Sequence, residues 1–281
     1  VIINAVTRAD AQLINDVAEQ VFDLEAAYVN WVETEPRDDR QGHFHPSAVG
    51  GCARRNVYEY IRAPRMFMDK PADMEIFRIG HAVHHIVQTI LADLGRVLTP
   101  RGIEYSFYPE IPYDPATDLL YNDLGIGGTC DGLLELRHTR LGWTQRGVVE
   151  IKTIKNEKFN QLKAPKEEHQ MQANLYAFRF DTPIIWYWYY NKDNSQRRVF
   201  KTRASDEYLD KALARFVEQK AHVDAGTLPD REESFWMCPR CEYGHICQPS
   251  KLKRVQEQEK LIQVRTNGFG ARKKAKVSNG T

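Results

Sequence analysis

The sequence predicts an α/β fold, a mixed β-sheet with helices on both faces. Three observations predict it. The middle of the chain reads helix, three strand-like runs, helix, strand. The runs Ile103–Tyr108, Ile126–Leu136 and Gly147–Ile154 are rich in β-branched and aromatic residues, as half-buried strands are. On either side of them, apolar residues recur at helical spacing. The length, 281 residues, suits one large domain with additions or two small ones, and 42% hydrophobic with 27% charged residues is a globular balance.

Taken in order, Thr7 to about Val32 carries Leu13, Val17, Val21, Leu24, Tyr28 and Trp31 at helical spacing, with Thr7 and Asp10 as a capping pair. Residues 1–46 are therefore expected to be a helical accessory segment. A second helix is expected from about Ser47 to Arg62, capped by Ser47, with Val57, Tyr58 and Ile61 inward. A third, from about Met74 to Leu94, lines up Phe77, His84, Val87 and Leu91, and Gly80 one turn before His84 would let another backbone approach. After the three strands, Glu167–Phe180 is helical, with Gln172 and Tyr176 one turn apart. Ile184–Tyr190 and Arg197–Thr202 are strands joined by the turn-rich Asn191–Ser195, and Ser205 caps a helix to Ala225.

Composition excludes several classes. No run approaches the ~18–20 apolar residues of a membrane span, and the longest apolar stretch, Ile184–Tyr190, reads as a buried strand. The N-terminus lacks a basic segment followed by an apolar one, so a cytoplasmic chain with no membrane partner is expected. Val1 in place of Met suits a processed or trimmed chain. Net charge is +1, so any basic surface must be local. Five cysteines in such a chain do not suggest a disulfide framework, and three of them crowd into Cys238–Cys247, which asks for a metal explanation.

The chemistry centres on Gly147–Lys152, Gly-Val-Val-Glu-Ile-Lys. Alternation along a strand puts Glu150 and Lys152 on one face, Val149 and Ile151 on the other. With Asp131 from the neighbouring strand the set is two acids and a lysine. Phosphodiester hydrolysis calls for such a set: hard oxygen ligands for a divalent ion, and a cation for the attacking water or the phosphate. Glu-x-Lys also occurs in plain surface strands, and a single histidine such as His84 is commonly a hydrogen-bonded core residue.

The surrounding pieces carry a resemblance. Gly80-His-Ala-Val-His84, then Gly-Gly-Thr-Cys-Asp131-Gly, then Glu150-Ile-Lys152, then Gln172-Ala-Asn-Leu-Tyr176 resemble, in that order, the RecB-type branch of the PD-(D/E)XK nucleases. Cys130 stands where the family's naming proline would precede Asp131. The resemblance spans about Ser47 to Pro249. It implies a restriction-endonuclease-like sheet flanked by helices and a nuclease domain over residues 47–249. It implies Asp131, Glu150 and Lys152 as catalytic residues, with His84, Asp131 and Glu150 holding one or two Mn²⁺ or Mg²⁺ ions. Imidazole tilts that choice toward manganese. Lys152 would orient or deprotonate the water, its pKa lowered by neighbouring cations. Gln172 and Tyr176 would touch the nucleic-acid backbone, unless they lie on an ordinary exposed helix face.

A second group is Cys238-Pro-Arg-Cys241-Glu-Tyr-Gly-His-Ile-Cys247. A Cys-x-x-Cys pair suits zinc or an iron–sulfur cluster, and four thiolates complete either. A cysteine near a helix start, such as Cys52, is ordinarily a small buried residue, but it can supply a missing fourth ligand. One early cysteine with a late Cys-x2-Cys-x5-Cys resembles the iron–sulfur nucleases of the same family, notably the CRISPR-associated adaptation exonucleases and the AddB-type helicase–nucleases. That resemblance implies a [4Fe–4S] cluster on Cys52, Cys238, Cys241 and Cys247, acting as a C-terminal clasp. His245 keeps a zinc site open, and Cys130 is expected to be a small buried residue.

Residues 250–281 form a basic tail. From Lys251 to Lys276, nine Lys and Arg face only Glu257 and Glu259, which suits either a solvated segment or a salt-sensitive arm for DNA. The expected function is a metal-dependent DNA nuclease, an exonuclease on single strands or DNA ends. Its expected settings are recombination, repair, CRISPR adaptation or phage DNA metabolism, with a helicase, recombinase or CRISPR adaptation protein as partner. The alternatives are a non-catalytic module that binds DNA ends or a partner, and a zinc-stapled scaffold that leaves His84, Asp131 and Glu150 without a role.

Overall fold

The computed structural model describes residues 24–34, 41–66, 71–232, 234 and 237–247. The expected helix before Leu24 and the basic tail lie outside the described residues. The helices are α1 (Leu24–Thr34), α2 (Ala53–Tyr60), α3 (Pro71–Asp93), α4 (Gly95–Leu98), α5 (Leu119–Leu124), α6 (Asn156–Gln161), α7 (Glu167–Arg179), α8 (Asp206–Ala225) and α9 (Gly244–Cys247). The strands are β1 (Ile103–Pro112), β2 (Thr129–His138), β3 (Thr144–Ile154), β4 (Ile184–Asn191) and β5 (Arg197–Arg203).

The described residues fall into two units. The smaller comprises α1 and α3 up to Ile79. In it the Arg78 guanidinium lies 4.2 Å over the Trp31 ring, and Tyr28 packs beside that ring. Phe77, expected to face inward, is 61% exposed.

The larger unit holds a five-stranded sheet in the order β1-β2-β3-β4-β5. Three of the four pairings between sequence neighbours are antiparallel, but β3 and β4 run parallel. A parallel pair needs a crossover, which α6 and α7 supply. Period-two alternation then sorts the side chains. Val148, Ile154, Ile185, Tyr187 and Tyr189 join the core against Leu175 and Ala177 of α7 and Phe216 of α8. Val149 and Ile151 face the other way, against Val83, Val87 and Leu91 of α3. The sheet with helices on both faces is thus the observed architecture.

Two local expectations change. The helix expected from Ser47 begins only at Ala53, preceded by a 3-10 turn at Pro46–Ala48, and Cys52 occupies its N-cap. The Gly50-Gly51 pair delays it: a Cβ at Gly50 would lie 2.5 Å from Glu168 Cβ of α7. Gly80 meets only the Thr153 hydroxyl, 3.8 Å from where a Cβ would stand, so no backbone approaches it. Among the described residues no helix is long and apolar enough to cross a membrane.

Candidate active site

The site sits where β2 and β3 part. Their ladder runs from Arg137↔Thr144 to Gly132↔Val149 and ends there, one residue short of Asp131 and Glu150. On the other side, β1 and β2 skip the pair Glu110 and Asp131, and Glu110 has φ +48°. Asp131 is thereby released from both ladders. Its Oδ2 accepts the Ile151 N–H at 2.7 Å, replacing the missing backbone partner. Its Oδ1 lies 3.4 Å from His84 Nδ1 on α3.

Glu150 is 0% exposed. Lys152 Nζ lies 2.5 Å from its Oε1 as an ion contact, yet neither carboxylate oxygen has a hydrogen-bond partner of good geometry. A buried ionised carboxylate without hydrogen bonds is costly, which makes this the most informative atom pair in the site. Burial, reinforced by the Asp131 charge, pushes the Glu150 carboxyl up to about 7 despite Lys152. Lys152 moves upward too: burial pulls its pKa down, but Glu150 and Asp131 outweigh that. In the chain alone the acids hold the ammonium protonated, whereas the lowering expected from sequence presupposes bound cations. His84 behaves likewise, with burial opposed and overcome by the hydrogen bond and charge of Asp131.

The sequence-singled residues therefore converge, with α7 completing the set. Gln172 is 6% exposed and its Oε1 accepts from Lys152 Nζ at 2.9 Å. Tyr176 is 2% exposed and its hydroxyl donates to Thr129 O at 2.8 Å. Both lie inside, where Gln172 aims the lysine and Tyr176 anchors the strand that presents Asp131. Neither occupies an open helix face. Cys130 is fully buried, its Sγ 3.4 Å from Gly132 O, and burial pushes its thiol well above the ordinary range.

Sequence reading missed Gln88. One turn beyond His84 on α3, its amide donates to Asp131 O at 3.0 Å and to Glu110 Oε1 at 2.5 Å, tying β1 and β2 together at the gap. The only sequence signal was its i+4 spacing from His84. The sites are close-knit but not preassembled for a metal: among the described residues, no three His, Cys, Asp or Glu side chains form a metal-holding group.

Cys52, Cys238, Cys241 and Cys247 are half-buried, and none of them is in a disulfide. Cys241 and Cys247 pack on Tyr58, Ala63 and Tyr243, with the Tyr58 and Tyr243 rings stacked 5.2 Å apart. Burial, and then the charges of Cys247, Cys241 and Cys52 with it, raises the Tyr58 phenol pKa against the pull of Arg54. Cys238 Sγ accepts from Ser234 N at 3.3 Å. The late segment is stitched to α2 by Arg54 Nε donating to Pro229 O at 2.8 Å and by Arg55 pairing with Glu242 at 3.3 Å.

No protein-family model matches the chain, and no curated protein matches its sequence. Among solved structures, SSO0001 is similar with TM-score 0.41 and 17% identity over 79% of this chain and 93% of its own. An alkaline exonuclease from Laribacter hongkongensis, LHK-Exo, gives TM-score 0.42 and 16% identity over 66% and 92%. Its complex with dAMP gives 0.43 and 17% over 66% and 90%.

Proposed function

We propose that this chain is a metal-dependent DNA nuclease that acts on single strands or DNA ends. The observation that carries the reading is Glu150: a fully buried carboxylate that meets only Lys152 at Oε1 and has no hydrogen-bond partner at Oε2, beside the strand gap where Asp131 faces His84. Two carboxylates and an imidazole suit Mn²⁺ or Mg²⁺. When bound, such an ion supplies Lewis acidity toward water and offsets charge building on the phosphate. Glu150, Asp131 and His84 would hold it once their side chains draw together around the ion. Lys152, kept protonated and aimed by Gln172, donates hydrogen bonds to a phosphate oxygen or to the attacking water. Gln88 and Tyr176 hold the Asp131 strand in place.

The four cysteines suit a [4Fe–4S] cluster by donor chemistry, joining the 229–247 segment to α2. A helicase, recombinase or CRISPR adaptation protein is the kind of partner such a nuclease serves. One observation favours the second reading, a non-catalytic module that grips DNA ends: Asp131 spends Oδ2 on Ile151 N rather than leaving it open.

The test is cutting of ended and closed DNA with manganese. Asp131→Ala, Glu150→Ala and Lys152→Ala are expected to abolish it. Wild-type cutting by Lys152→Ala would contradict the assignment. For the cysteines, protein purified without oxygen should be brown with about four irons per chain. A colourless sample holding one zinc would contradict the cluster.

A further inference from the structure

One sheet face is not accounted for by the site. Helix α3 covers this face over β2 and β3, while among the described residues its β4 rings are half-buried and Arg197, Val199, Lys201 and Arg203 of β5 are exposed. Strand register fixes what lies there. Trp186 pairs with Lys201, and Tyr190 with Arg197, so these side chains project together. Trp186, Trp188 and Tyr190 are half-buried and pack at the margin of the α3 core. Alternate residues along a strand are about 6.8 Å apart, so the three rings form an evenly spaced row. Trp186 lies across Gly147, where a Cβ would come within 2.6 Å of the ring, and Lys201 Nζ sits 5.4 Å from its centroid. Trp188 Nε1 is buried without a hydrogen-bond partner. Beside the rings, Arg197, Lys201 and Arg203 are exposed, and among the described residues neither Arg197 nor Arg203 has an ion pair.

Edge strands commonly carry Lys and Arg to block pairing with another sheet, and the three cations alone would need no other explanation. That does not explain an aromatic row behind them. Stacking rings flanked by unpaired cations are the complement of single-stranded nucleic acid, whose bases offer flat faces and whose backbone is anionic. Tyr190 pairs with Thr153, so this row lies on the sheet face opposite Lys152.

We infer that the β4–β5 face is a track for a single strand, with bases on Trp188 and Tyr190 and phosphates on Arg197 and Arg203. This binding does not rest on the nuclease reading above.

The test is fluorescence anisotropy of a labelled oligo-dT with the full chain in EDTA, so that cutting plays no part. Arg197→Glu/Arg203→Glu, both exposed positions, should leave the melting temperature unchanged and weaken binding at least tenfold. The salt slope should fall by about 1.4, for two lost single-strand phosphate contacts. Tyr190→Ala should weaken binding with no change in slope. Equal binding by the double variant and wild type would overturn the track. So would poly-glutamate displacing oligo-dT with the same arginine dependence, which would mark a face for acidic peptides. A wild-type chain that binds through these arginines yet cuts nothing with manganese would sink the nuclease reading and leave the track standing.

Discussion

Two buried ion pairs in the larger unit differ in completeness. Arg179 at the end of α7 donates from Nε to Asp118 Oδ1 at 2.7 Å, with side-chain exposures of 9% and 11%. Its other nitrogens donate to Ile111 O and Pro112 O, and its guanidinium lies 4.4 Å over the Tyr113 ring. Asp118 also accepts from Asp114 N. Every lone pair and proton that matters is used, and the pair fastens β1, α5 and α7 together. Lys152 and Glu150 are as close, but Glu150 Oε1 meets only Lys152 and its Oε2 has no hydrogen-bond partner among the described residues. A buried ion pair holds a fold together only when its remaining hydrogen-bonding capacity is met. The incomplete pair is the one to which the proposed ion would add a partner.

The contrast can be broken by mutation. The largest effect expected is from Arg179→Ala, which strands Asp118 and should cost about 3–5 kcal/mol, read as a lowered denaturation midpoint. Glu150→Gln should abolish cutting at a stability cost of less than about 1 kcal/mol, because it removes a charge the fold leaves unsatisfied. Equal destabilisation by the two variants would mean that the Glu150 pair is structural.

A smaller effect sharpens the comparison from the α7 side. His169 Nδ1 lies 2.7 Å from the Tyr189 hydroxyl. Burial first, then the Lys152 and Lys166 charges, lowers its pKa to about 3. The folded state therefore favours neutral His169. Its contribution is complete above the unfolded value, near 6.5, and is lost as the pH falls from there toward 3. His169→Gln should flatten the loss of stability over that window, measured by thermal melts at stepped pH. An unchanged acid slope would contradict the assignment.

The strands were legible because β-branched and aromatic residues alternate there, and α3, α7 and α8 because their apolar stripes are long. α5 and α6, six residues each, are too short to show a period. Site residues were legible by type and order, but not the gap that gathers them: where β2 leaves β3 is a property of register, which the strand sequences do not encode alone. Gln88 was invisible for the same reason, since its partners are the Asp131 backbone and Glu110. Ile184–Tyr190 reads as wholly buried, yet only Ile185, Tyr187 and Tyr189 are; Trp186, Trp188 and Tyr190 lie on the half-open face.

The most direct test of the central claim is calorimetric titration of Mn²⁺ into the wild type and into Glu150→Gln at neutral pH. The account predicts saturable binding by the wild type, and binding at least tenfold weaker once the buried carboxylate is neutralised. Thermal stability should rise with added Mn²⁺ by about 2.7 kcal/mol in the wild type at a hundred times its Kd, and by about 1.4 kcal/mol or less in the variant at the same concentration. Identical Mn²⁺ affinity in the two proteins would contradict it.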